Sequence, residues 1–211
     1  MKKEQAHMSR RSRTILAAAL ILAPIALLGG CGNQRAPVNE IISIDQRAQI
    51  EEARNRIAMA EDAMKAGDVD RAIDLYRQSI DSYPQLAVAW NDLGVALMSK
   101  RRNQEASQCF HMAANVDPTD PRPFYNLGSL FQSLYYDDDA HDYFVKALER
   151  KSNYLPALRG AIQTSDLGDR RSEKTLDWIR KALMLETDPD WINYLRKLRL
   201  EVESEVALED R

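Results

Sequence analysis

Side chains able to do chemistry are few and scattered in this chain of 211 residues. The cysteines are Cys31 and Cys109, and the histidines are His7, His111 and His141. No HExxH, no cysteine pair, no glycine-rich phosphate loop and no nucleophile elbow accompanies them. His111 and His141 stand alone on expected helices and read as solvated surface residues. Asp137, Asp138 and Asp139 are adjacent, but a calcium loop spaces its ligands around a turn. Three carboxylates at the start of a helix are better explained as complementing its macrodipole. The chain is therefore not expected to be an enzyme, and no catalytic residue, metal ligand or bound cofactor is expected.

Cys31 differs from the rest in its surroundings. It follows a basic start (Lys2, Lys3, Arg10, Arg11, Arg13), an uncharged apolar run from Ile15 to Leu28, and the small pair Gly29-Gly30. These are the parts of a secretory signal, and the run is shorter than the ~18–20 residues that cross a bilayer as a mature helix. Met8 as well as Met1 can serve as the start. Ser9-Arg10-Arg11 hints at a twin-arginine signal, but Arg13 stands where an apolar residue is wanted, which favours general secretion. Leu28-Gly29-Gly30-Cys31 resembles a bacterial lipobox. The resemblance implies cleavage before Cys31, diacylation of its sulfur and often acylation of its new amine. It also implies that Gly32, in place of aspartate, directs the product to the outer membrane of a two-membrane cell. Covalent lipid on Cys31 is the only cofactor-like group expected. It would leave Cys109 with no partner for an internal disulfide.

Loss of residues 1–30 removes five basic residues and one acidic one, leaving 24 basic against 31 acidic and a formal charge near −7, compared with −3 for the whole chain. An acidic product with no basic run argues against nucleic acid as a partner. Gly32 to Asn39 is polar and contains glycine and proline, so residues 31–44 read as the lipidated terminus and a short linker.

From Asp45 onward the pattern is helical. Trp90, Leu93, Gly94 and Leu97 are followed by Ala106, Phe110, Ala113 and Pro118, and a step of 34 residues finds Phe124, Leu127, Gly128, Phe131, Ala140, Phe144 and Ala147 in the same slots. Small residues stand where two helices must touch and large ones where they interdigitate. One step back gives Ala72, Tyr76, Ser79 and Pro84 behind a weakly patterned first helix with the stripe Ile50, Ala53, Ile57, Ala60 and Met64. One step forward gives Leu158, Ala161 and Ile162, then Thr175, Ile179 and Ala182 after a one-residue insertion. Cys109, beside Phe110, reads as a buried and unreactive thiol. Gly67-Asp68, Arg102-Asn103 and Asp137-Asp138-Asp139 are the expected turns within units, and Asp120-Pro121 the expected N-cap and first residue of a helix. After Pro189, the apolar face Trp191, Leu195, Leu198 and Val202 predicts a helix capping the stack, with Glu203 to Arg211 frayed.

This series resembles the tetratricopeptide repeat. The resemblance implies an all-α, right-handed solenoid of about four helix-turn-helix units (53–86, 87–120, 121–154 and 155–188, within a repeat region 45–188) and a capping helix and tail at 189–211. It also implies a concave groove, lined by first helices, that takes an extended or helical peptide. Groove positions here include Asn91, Val95, Met98, Arg122, Tyr125, Ser129, Gln132 and Arg159. Of these, Asn91, Arg122, Tyr125, Gln132 and Arg159 form the candidate peptide-binding lining, suited to a peptide with an acidic group. The family's two-carboxylate clamp does not carry over, because Ile57, Glu61 and Val95 stand where its lysine and asparagines belong. The expected function is that of an envelope lipoprotein, anchored in the membrane and facing the periplasm. It would act as an adaptor or scaffold for other envelope proteins of a secretion, pilus, outer-membrane or cell-wall machinery. The alternative is a self-associating structural protein that uses the Asp45 to Gly67 stripe or the last helix.

Overall fold

The computed structural model describes residues 43–168 and 170–209. The signal, Cys31 and the linker, except for its last residues, lie outside the described residues. Nine α-helices and no strands occur among the described residues: α1 (Ile44–Lys65), α2 (Val69–Ser82), α3 (Ala87–Ser99), α4 (Asn103–Val116), α5 (Pro121–Ser133), α6 (Asp137–Arg150), α7 (Leu155–Leu167), α8 (Glu173–Leu185) and α9 (Pro189–Glu209). Each helix packs on the next, and α3, α5 and α7 also touch one another in series, so first helices form one layer and second helices another. This is the expected all-α stack of helix pairs. No helix among the described residues is long and apolar enough to cross a membrane.

Local sequence sets the ends of these elements. Ser43 caps α1 in a reciprocal box with Gln46. Asp120 caps α5 by accepting from the Arg122 backbone N–H, with Pro121 in the first turn. The turns within units place Gly67, Arg101 and Tyr135 at positive φ (79°, 59° and 63°), one in each of the first three units. Only the first of these uses the residue that adopts such a conformation without steric cost. The third turn is made by Leu134, Tyr135 and Tyr136; Asp137, Asp138 and Asp139 belong to the first turn of α6 rather than to the turn itself.

The core follows the small-against-large logic. Phe110 and Phe144 are fully covered. A Cβ placed on Gly94 would come within 2.5 Å of the Phe110 ring, and Phe144 is enclosed by two glycines, with 2.7 Å to a Cβ on Gly128 and 2.6 Å to one on Gly160. On the first unit, Ala53, Ile57, Ala60 and Ala63 are buried, and the Ser79 hydroxyl donates to the Ala53 carbonyl at 2.9 Å. The middle of the α1 stripe is thus covered within the chain, with Ile50 and Met64 half-buried at its ends, and Leu195, Leu198 and Val202 of α9 are likewise buried.

Two expectations are corrected. The segment from Glu203 to Glu209 is not frayed, because α9 runs on to Glu209, and 210–211 lie outside the described residues. Arg171, from the α7–α8 loop, pairs with Glu205 at 2.6 Å and Glu201 at 3.6 Å while also holding Asp166, which fastens α9 to α7. His141 is not a solvated residue. Its ring packs 5.8 Å from that of Trp178, and Nδ1 lies 2.9 Å from the Thr164 hydroxyl of α7. Burial pushes its pKa below the usual imidazole value, with the Asp142 carboxylate pulling the other way. Cys109 is buried, and burial pushes its thiol up to about 11, so no thiolate is available near neutral pH.

Candidate functional site

Between α5, α7 and the start of α9 lies a cleft of about 350 Å³. Tyr125, Gln132, Arg159, Gln163 and Trp191 line it, with Phe144 beneath. Tyr125 is held by aromatic contacts, its ring centroid 5.9 Å from Phe144 and 5.8 Å from Tyr154, the latter edge-on. A smaller hollow continues past Gln163 and Trp191 to Asp190 and Tyr194. The Tyr194 hydroxyl donates to Asp166 at 2.9 Å, and burial, followed by this carboxylate, raises its pKa. Aromatic faces and amides set side by side recognise an extended backbone and its apolar side chains. Among the described residues no group of three or more His, Cys, Asp or Glu side chains is placed to hold a metal ion.

Of the candidate lining, the structure brings Tyr125, Gln132 and Arg159 together and leaves Asn91 and Arg122 outside the cleft. Asn91 is only 4% exposed: it accepts from the Asn126 amide at 2.8 Å and donates to Asp92 at 2.9 Å, tying α3 to α5. Arg122 turns back onto its own cap and forks onto Asp120 through Nε and Nη2, at 2.9 and 2.7 Å. Arg159 is also engaged, donating Nε and Nη2 to Glu186 at 2.7 and 2.6 Å and lying 4.8 Å over the Trp191 ring. An acidic ligand group would have to compete with a carboxylate already seated at each of these guanidiniums. The expected cationic lining is therefore electrically neutral.

Glu186 is shut off from water by a thin layer of its own neighbours and also accepts from the backbone N–H groups of Thr187 and Asp188, at 2.9 and 3.0 Å. Desolvation raises its pKa, but Arg159 and the two amides outweigh that, and the net shift is downward. A lowered carboxylate pKa contributes stability that is present above the unfolded value, near 4.5, and is lost as pH falls through the folded value. Thermal midpoints of wild type and Glu186→Gln should differ at neutral pH by an amount equivalent to about 1 kcal/mol. They should converge as pH drops below about 4.5. A gap that stays constant down to acid unfolding would show that the charge on Glu186 does nothing for the fold.

Trp191 and Gln163 were not among the sequence candidates. Gln163 stands one repeat step after Ser129 and could have been found by that step alone. Trp191 reads as part of the packing face of α9, and its place in the cleft depends on α9 taking the position of a further first helix. Another hollow, of about 640 Å³, lies between α2, α3 and α4, with Ile80, Trp90, Leu93, Leu97 and Met112 on its walls.

Comparison with known proteins places this geometry. The model of the tetratricopeptide-repeat family matches residues 63–127. These are tetratricopeptide repeats. A peroxisomal targeting signal receptor of Candida glabrata is 29% identical over 168 residues, covering 75% of this chain and 27% of the receptor. A second such receptor, from Eremothecium gossypii, is 26% identical over 117 residues, 20% of its length, so the chain spans about a quarter or less of these relatives. Among solved structures, PilF of Pseudomonas aeruginosa superposes with a TM-score of 0.63 at 16% identity, covering 73% of this chain and 72% of PilF. The first tetratricopeptide domain of Spaghetti, bound to the HSP90 peptide SRMEEVD, gives a TM-score of 0.54 at 18% identity, covering 57% of this chain and 95% of that domain. At these identities the structural likeness is one of fold.

Proposed function

We propose that this protein is an adaptor, tethered to the membrane through lipid on Cys31, that holds an extended segment of a partner protein on its inner face. The observation that carries the reading is the cleft between α5, α7 and α9, where Tyr125 and Trp191 set aromatic walls beside the amides of Gln132 and Gln163. A related fold, the Spaghetti domain, holds a peptide. Surface of this kind favours binding over reaction, since nothing in it pairs a nucleophile with a base. The envelope, with the outer membrane facing the periplasm, is supported by the lipobox pattern at Leu28 to Cys31 and by Gly32 after it. The partners would be other envelope proteins.

Filling the cleft tests the reading. Gln132→Arg/Gln163→Arg places two long charged side chains in it without touching a buried contact. In a crosslinking pull-down of the full-length protein from envelope fractions, the wild type should capture a discrete partner that this variant loses. An unchanged set of captured proteins would move binding to another surface. Recovery of the protein alone from both would favour self-association.

A further inference from the structure

At the other end of the inner face the charge is opposite to that expected. Between α1 and α3 lies a hollow of about 320 Å³ lined by Glu61, Met64, Lys65, Tyr76, Asp92 and Val95. Its walls are apolar: Met64 is half-buried, Val95 is 40% exposed, and Tyr76 closes the base. Its mouth carries two carboxylates, Glu61 on the open side of α1 and the half-buried Asp92 of α3, which accepts from the Asn91 amide at 2.9 Å. The nearest cations, Lys65 at the rim and Arg122 beyond it, make their ion pairs with other carboxylates. The Lys65 ammonium is 3.0 Å from Asp62, and Arg122 is 2.7 Å from Asp120. Burial pushes the Asp92 carboxyl above its ordinary value; Asn91 and Arg122 pull it down, and the Glu61 and Asp120 charges push it up again. A carboxylate so placed lacks a close countercharge.

We propose that this hollow receives a lysine or arginine side chain of the bound segment, its aliphatic stem between Met64 and Val95 and its charged head on Glu61 and Asp92. A basic side chain is the one type that fits both parts, burying methylenes along an apolar wall while its head takes charge-assisted hydrogen bonds. The proposal deepens, and rests on, the reading of the inner face as a peptide groove. It reverses the expected selectivity. Glu61 and Val95 occupy two of the positions where the related clamp would present a cation and amides to carboxylates, so an acidic peptide would meet repulsion here.

The test uses the full-length protein in detergent and a displayed library of random peptides about twelve residues long, followed by affinity measurements on synthetic copies of the selected sequences. Wild type should enrich peptides carrying lysine or arginine. Glu61→Gln/Asp92→Asn keeps size and most hydrogen bonds, and should weaken those peptides about tenfold or more. Raised salt should weaken wild-type binding in the same direction. If selected peptides lack a basic excess and ignore Glu61→Gln/Asp92→Asn, yet are lost with Gln132→Arg/Gln163→Arg, the groove stands and the cation hollow is overturned. If they bind both variants as tightly as wild type, groove and hollow fail together. If basic peptides are lost only with Glu61→Gln/Asp92→Asn, the hollow stands and the α5–α7–α9 cleft takes no part.

Discussion

Phe144→Ala is expected to cost about 3–5 kcal/mol, the range for emptying a fully buried phenyl site, and to take the peptide cleft with it. The ring is 1% exposed and fills the space that two glycines leave open, one from α5 and one from α7. Neither glycine has a side chain with which to close the gap, so the void would span the third and fourth units. Helices are stiff at this scale, and interiors collapse only partly around a void. For a chain of this size about 1 kcal/mol moves the thermal midpoint by roughly 2–4 °C, so a fall of about 10 °C by far-ultraviolet circular dichroism is the expected result. Tyr125 rests on the same ring and would lose its support, so peptide binding should weaken even where the helices persist. The converse change, Gly160→Ala, drives a methyl into the ring and should cost about 1–3 kcal/mol. A Phe144→Ala protein within about 1 kcal/mol of wild type would mean that the units do not depend on this contact.

That interlock is also why the fold was legible in sequence. A slot that is glycine or alanine on one helix and phenylalanine on another recurs at a fixed step, and only facing helices explain the recurrence. The candidate site was legible in part, for a physical reason that differs from residue to residue. Arg122 lies two residues after the carboxylate that holds it, and the Asp-Pro-Arg string carries that information. Arg159 finds its partner 27 residues away in the turn before α9, which no local pattern encodes. Asn91 occupies a groove-facing position by register, yet the Asn126 amide draws it into the layer between helices. His141 stands outside the apolar stripe of α6, and Thr164 from α7 and Trp178 from α8 give it cover. Periodicity reports which face of a helix is apolar. It says little about which polar groups will meet across a helix boundary. The net effect here is that the obvious cations were neutralised and the less obvious carboxylates, Glu61 and Asp92, were left facing the groove.

Cys31→Ser should move the protein from the membrane pellet to the soluble fraction, the largest change any single substitution is expected to make. Each acyl chain contributes about 0.8 kcal/mol per buried methylene, so one chain binds reversibly and two or three hold a protein for its working life. Serine offers no thiol for the first acyl transfer, so all of that would be lost at once. No described helix is long and apolar enough to span a bilayer, and after loss of residues 1–30 the balance of 24 basic to 31 acidic residues gives no attraction to anionic headgroups. Fractionation of cells fed an alkyne-bearing palmitate would read both halves of the claim: wild type in the pellet and labelled, Cys31→Ser soluble and unlabelled. An unlabelled wild type in the soluble fraction would remove the lipid anchor from the proposed function while leaving the groove intact. A Cys31→Ser protein that stays unlabelled in the pellet at the size of the cleaved chain would instead locate the attachment in a partner, and the pull-down with Gln132→Arg/Gln163→Arg would then show whether the groove makes it; one that stays at the full size would be held by its uncut apolar run, Ile15 to Leu28.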